Sequence, residues 1–193
     1  MKFAACVDRY ELLAVELGQI ISDAENRITA EVPDPYFVKN ANFLTKFFLI
    51  SLCCYLEVFL KEIANEHVAC VKQQLANVKV PHNMLMWSVA RDVKDRELKF
   101  GAFCLSLTKK DIDDELSGNP FRTAKCFRLL GVELDSVPEF QRHKEIVNYV
   151  VSKRNNIIHH NDTAVDISLG DIRGYRDNFE KYIRAIASAV SAV

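Results

Sequence analysis

Nowhere does the sequence alternate apolar and polar residues between hairpin turn signals, which excludes a sheet protein. Glycine is scarce, with 6 residues, and none sits in a loop able to cradle a phosphate, so a nucleotide hydrolase has no support. The 6 cysteines, Cys6, Cys53, Cys54, Cys70, Cys104 and Cys126, form no Cys-x-x-Cys pair. Most lie among apolar residues, as small hydrophobes do, and they read as reduced thiols of a cytoplasmic protein. Glu62, Glu66 and His67 lack the spacing of a zinc-binding helix, and no metal or other cofactor is expected. An excess of basic charge is also missing: the net charge is -1 and the pI about 6.5. Sequence-blind coating of nucleic acid is therefore disfavoured, and any such contact must come from a local patch or one assembled between subunits. The densest apolar run, Phe47 to Leu60, contains only Ser51 and Glu57 as polar residues; at 14 residues it is shorter than the roughly 20 a bilayer demands. It is expected to be the buried central helix of a bundle, with no membrane partner. Nor does a targeting segment appear, because Phe3-Ala4-Ala5-Cys6 has no apolar run before it and Asp8, Glu11 and Glu16 follow.

What is present is helical periodicity in a chain that is 49% hydrophobic and 26% charged, enough for one globular domain over residues 1–193. Phe3, Val7, Tyr10, Ala14, Leu17, Ile21, Ala24 and Ile28 alternate steps of four and three, which predicts a long amphipathic helix. Val32-Pro33-Asp34-Pro35 ends it, and a second long helix is expected from about Val38 to Ala76. From Val78 to Pro138 prolines and glycines cut the chain into short pieces, of which Phe100 to Leu116 and Phe121 to Leu130 look helical. Helical spacing returns from Glu139 to about Ile158, and Asn161-Asp162-Thr163 marks its end. A last helix follows Ser168, with Asp171 as the acid of a shortened capping box. The fold class is all-α, a bundle of four to five main helices with short extra helices in the middle segment.

The chemistry-bearing stretch is Arg154-Asn155-Asn156-Ile157-Ile158-His159-His160, a permanent cation beside titratable imidazoles. With 11 Arg and 5 His, roughly one Arg-x4-6-His match arises by chance, so its place in the chain decides its worth. An imidazole with an ordinary pKa near 6.5 serves as acid or base at neutrality, while a guanidinium can hold two phosphate oxygens. That combination suits phosphodiester chemistry. Asn155 orients the His or the phosphate, or simply caps the helix end. Glu57, alone in an apolar run, is either an acid satisfied locally by Lys61 or one that steadies the Arg-His element, with the Lys61 pairing slightly preferred. Trp87, with Met84, Leu85 and Met86, is read as core or dimer interface rather than a platform for base stacking. The mixed run Lys109 to Glu115 is a solvated helix surface.

The segment VSKRNNIIHHNDTAVDISLGDIRGYRDNFEKYI, Val151 to Ile183, resembles the Arg-Asn-x-Ile-x-His ending of the penultimate helix of HEPN domains and the helix after it. SLCCYLEVFLKEI, Ser51 to Ile63, is similar to their early apolar helix with an acid in its middle. The nearest subgroups are the RiboL-PSP-HEPN and MAE-like HEPN ribonucleases of prokaryotic conflict systems. The resemblance is not visible over 78–138, which reads as a family-variable insertion that shapes the site. It implies a helical bundle that homodimerises into a composite cleft and cleaves single-stranded RNA without metal, as a toxin or anti-phage effector with an antitoxin or defence-system partner. It further implies Arg154 and His159 as catalytic residues, with Asn155, His160 and Glu57 supporting. His159 is preferred because His160 takes a place where relatives commonly have a small residue. Asn161 stands where toxins controlled by AMPylation carry tyrosine, so that control is not expected. The alternative is a catalytically silent HEPN module that binds RNA, a nucleotide or a protein partner.

Overall fold

The periodic stripes of the sequence become the bundle's buried faces in the computed structural model, which describes residues 3–90, 98–160 and 162–193. Helix α1 spans Ala4–Thr29, α2 Pro35–Ala76, α3 His82–Val89, α4 Lys109–Glu115 and α5 Pro120–Leu129; α6 covers Pro138–His160 and α7 Leu169–Ser191. A 3-10 turn, Leu134–Ser136, precedes α6. Among the described residues there is no strand, only an isolated bridge between Pro81 and Ala102. The four long helices α1, α2, α6 and α7 pack on one another, while α4 leans on α2 and α5 on α6.

Local chemistry explains the boundaries. Helix α2 begins three residues earlier than its apolar pattern indicates, because Asp34 caps it by accepting from the Tyr36 N–H at 2.9 Å and Pro35 is preset for the first helical turn. At the start of α7, Ser168 Oγ accepts from the Asp171 N–H at 3.0 Å and Asp171 accepts from the Ser168 N–H at 2.8 Å, the reciprocal box expected from the sequence.

The α1 stripe from Phe3 to Ala24 is buried as its spacing requires. So are Leu49, Leu52, Cys53, Leu56, Phe59 and Leu60 of α2, and Phe179, Tyr182, Ile183 and Ile186 of α7. Tyr182 stacks on Phe140 of α6 with centroids 4.9 Å apart. As a whole helix of 42 residues, α2 is long and apolar enough to cross a membrane by length and composition; in the fold its inner face is the bundle's core.

The middle segment departs most from expectation. Instead of a helix over Phe100 to Leu116, only Lys109–Glu115 is helical, because Thr108 caps it through a reciprocal box with Asp111. The preceding residues pair back toward the end of α2: the Phe103 N–H donates to Val80 at 2.7 Å, and the His82 N–H to Gly101 at 3.0 Å. Helix α3 buries none of its residues, and Trp87 is 67% exposed, which removes the core reading of that tryptophan. Cys54 and Cys104 are likewise exposed, unlike the buried Cys6, Cys53 and Cys126. Asn161, assigned to the break after the penultimate helix, lies outside the described residues.

Leu49, fully buried, and Leu12, 61% exposed, give a direct comparison. Leu49→Ala is expected to lower the unfolding free energy by about 2–5 kcal/mol through cavity formation, and Leu12→Ala by no more than about 0.5 kcal/mol, both measured by urea denaturation.

Candidate functional site

Helix α6 buries Val147, Val150, Val151 and Ile157, and this face turns Arg154 inward toward α2. There its Nη2 donates to Glu57 Oε1 in an ion pair whose side chains are 14% and 30% exposed. Glu57 therefore reaches across to Arg154 rather than pairing with Lys61, which lines a separate cavity between α2 and α4. The same Glu57 oxygen accepts from the Gly118 N–H at 3.4 Å. A Cβ at Gly118 would lie 3.2 Å from Glu57 Oε1 and 3.3 Å from Val151 Cγ2, so the turn can come this close only as glycine without displacing either neighbour.

Electrostatics keep both groups in defined states. Burial alone pulls the Arg154 guanidinium down, but the Glu57 carboxylate opposes it, and the net shift is upward: the cation is permanent. Burial pushes the Cys53 thiol up to about 12 despite the opposing Arg154, so the sulfur is neutral at pH 7 and is no nucleophile. Arg154 Nε is buried and has no hydrogen-bond partner, leaving one donor of the fork uncommitted.

Arg154 stands at the wall of a polar cavity of about 360 Å³. Glu57 of α2, the turn Ser117-Gly118-Asn119, Arg122 of α5, and Val151 and Asn155 of α6 complete its lining. The cavity thus gathers Arg154, Asn155 and Glu57 of the residues singled out from the sequence. It does not gather His159 or His160, which are exposed at the end of α6 and line no part of it. A step of five residues turns a helix by about 140° net and advances it by about 7.5 Å, so Arg154 and His159 of one chain leave α6 in different directions.

Sequence reasoning missed Ser117, Gly118, Asn119 and Arg122. Gly118-Asn119-Pro120 was legible as a break; Asn119 is in fact the cap of α5, accepting from the Phe121 and Arg122 N–H groups at 3.0 and 3.1 Å. Arg122 carries no local sequence signal.

The turn beyond the histidines is tethered to α6 itself. Lys153 Nζ bonds Asp162 at 3.0 Å and Asp166 at 2.9 Å, while the Ala164 N–H donates to Asn42 Oδ1 of α2 at 3.0 Å. The lysine hydrogen bonds hold both carboxyls below the usual aspartate range, and they in turn raise Lys153. Among the described residues no group of three or more His, Cys, Asp or Glu side chains is arranged to hold a metal ion.

The RiboL-PSP-HEPN family model matches residues 16–192, and the chain belongs to that family. The match runs through 78–138, where no resemblance is visible by inspection. Membership supports a nuclease or RNA-related role. No curated protein and no solved structure matches the chain.

Two outcomes follow from this geometry. Glu57→Gln, which leaves a largely buried guanidinium without its counter-charge, is expected to lower stability by about 1–3 kcal/mol in urea denaturation at neutral pH; Glu57→Gln with Arg154→Met should cost less than the sum of the two single changes. In the folded chain Asp162 and Asp166 bind protons only below the ordinary aspartate range. Their tether to Lys153 is therefore complete at neutral pH and lost as the pH falls through those depressed values. Carboxyl NMR titration should show both depressions, and Lys153→Met should lessen each of them without abolishing it, since backbone N–H groups also lower both carboxyls.

Proposed function

We propose that this chain is a metal-independent endoribonuclease that cuts single-stranded RNA to 2′,3′-cyclic phosphate and 5′-hydroxyl ends. The observation that carries the reading is the guanidinium of Arg154, held by Glu57 at the wall of a polar cavity, on the helix that ends in exposed His159 and His160. Family membership over 16–192 adds its support.

In the proposed reaction the ribose 2′-oxygen forms a bond to phosphorus as the bond from phosphorus to the 5′-oxygen breaks. One imidazole takes the 2′-hydroxyl proton and an imidazolium gives a proton to the departing 5′-oxygen. Arg154 binds the non-bridging oxygens as charge builds on them. Because Arg154 and His159 diverge on α6, a homodimer supplies the second set: the His of one protomer and the Arg of its partner converge on one phosphate. Asn155 orients the phosphate, His160 supports His159, and Glu57 fixes the guanidinium. In the cell the protein acts in the cytoplasm as a toxin or defence effector, restrained by an antitoxin or partner protein.

The exposure of both histidines away from the Arg154 cavity favours one other reading, a catalytically silent HEPN module that binds RNA, a nucleotide or a protein. The two differ in product. Purified protein incubated with labelled single-stranded RNA in EDTA should yield cyclic phosphate ends by mass. His159→Ala should cut the rate by about 10²–10⁴ and Arg154→Ala by about 10²–10³. Absence of cleavage by folded dimer across varied RNAs, or mutants as fast as the parent, would leave the silent module. A monomer in light scattering would sink the composite site.

A further inference from the structure

Arg122 enters the Arg154 cavity from the first turn of α5, and the reaction above gives it no task. Its Nη2 donates to the backbone carbonyls of Asp114 at 3.1 Å and Glu115 at 3.4 Å, which orient the guanidinium without neutralising it. Among the described residues no carboxylate forms an ion pair with it, whereas Arg154 is paired with Glu57. The rest of the lining is rich in donors. Ser117 Oγ accepts from the Asn119 N–H at 3.3 Å and keeps its own proton to give, and Asn155 adds a side-chain amide. Of the charges around the cavity, Arg122 and Arg154 outweigh Glu57 by one positive unit. Among the described residues of the lining the one carboxylate, Glu57, is already engaged by Arg154 and Gly118.

A cavity of about 360 Å³ lies at the lower end of the range of ligand clefts, roughly 300–1,000 Å³. A guest that only accepts hydrogen bonds and carries one negative charge complements it, and a phosphodiester is such a group. We propose that the cavity is a phosphate subsite for the nucleotide adjoining the cleaved bond, with Arg122 as its main ligand and Ser117 as an accessory donor. This rests on the ribonuclease reading and extends it: residues 117–122 supply the substrate grip, while α6 supplies the chemistry. Arg122 binds substrate here and transfers no proton.

The test uses the full chain and a short 2′-O-methylated single-stranded RNA, which binds but has no free 2′-hydroxyl to attack. Affinity is followed by fluorescence anisotropy over a salt series. Arg122→Gln should weaken binding about tenfold and flatten the slope of log K against log salt by about 0.7, the value for one phosphate on a single strand. Arg122→Lys should retain the parental slope. Ser117→Asp, which brings a negative charge into the cavity without altering Arg122, should weaken binding to a similar degree. On cleavable RNA, Arg122→Gln should raise KM and leave kcat within about twofold, as expected for a group that binds ground and transition states alike. Parental affinity and salt slope in both Arg122→Gln and Ser117→Asp, beside a parent that binds and cuts, would overturn the subsite and leave the ribonuclease reading standing. A parent that neither binds nor cuts RNA would overturn both.

Discussion

A carboxylate even partly buried in the middle of the most apolar helix of a bundle needs a partner, since withdrawing an unpaired charge from water is costly. Glu57 sits in this position, between buried Leu56 and Phe59, and Arg154 of α6 answers it. The pair ties α6 to α2 at one register, because a shift of α6 by a single residue would turn Arg154 by about 100° and strand both charges. The Gly118 N–H brings the middle segment to the same carboxylate. Three parts of the chain distant in sequence thus meet at one side chain, and the polar cavity is the space left where they meet.

That convergence explains why the site is rigid on one side and open on the other. Arg154 is oriented from behind by Glu57 and neighboured by a neutral Cys53 thiol, both on α2. Beyond it α6 continues into solvent, and His159 and His160 stand on its exposed last turn. Lys153 holds the turn that follows through Asp162 and Asp166, and Asn42 holds it to α2, so the helix end that carries the imidazoles is braced from two directions. Cation and imidazoles therefore belong to one helix while pointing apart, which is why the proposed reaction needs a second copy of the chain.

The long helices were legible because each must bury a stripe at period 3.6, and Phe3 through Ala24 or Ile172 through Val190 repeat that period without interruption. The Ser168 and Thr108 boxes show how short-range chemistry sets ends: the first was read directly, whereas the second was overlooked and the helix it opens was drawn to begin too early, at Phe100. The core half of the Trp87 reading failed because apolar character alone does not reveal whether a neighbour in the same chain covers a side chain, and none of α3 is buried. Glu57 was seen as anomalous from its surroundings, yet its partner lay 97 residues away, and local reasoning preferred Lys61 one turn further along the helix.

By itself the sequence determined the helical class, the four long elements and the place of the Arg154 to His160 cluster at a helix end, because periodicity, caps and side-chain type are local properties. Only the tertiary structure decided which of those residues share a site. It joined Arg154 and Asn155 to Glu57, brought in Ser117, Asn119 and Arg122 from a segment with no legible motif, and set His159 and His160 apart. The physical reason is that a cavity is defined by surfaces brought together from distant segments, and the relative rotation of two packed helices is fixed by the whole core rather than by any stretch of chain.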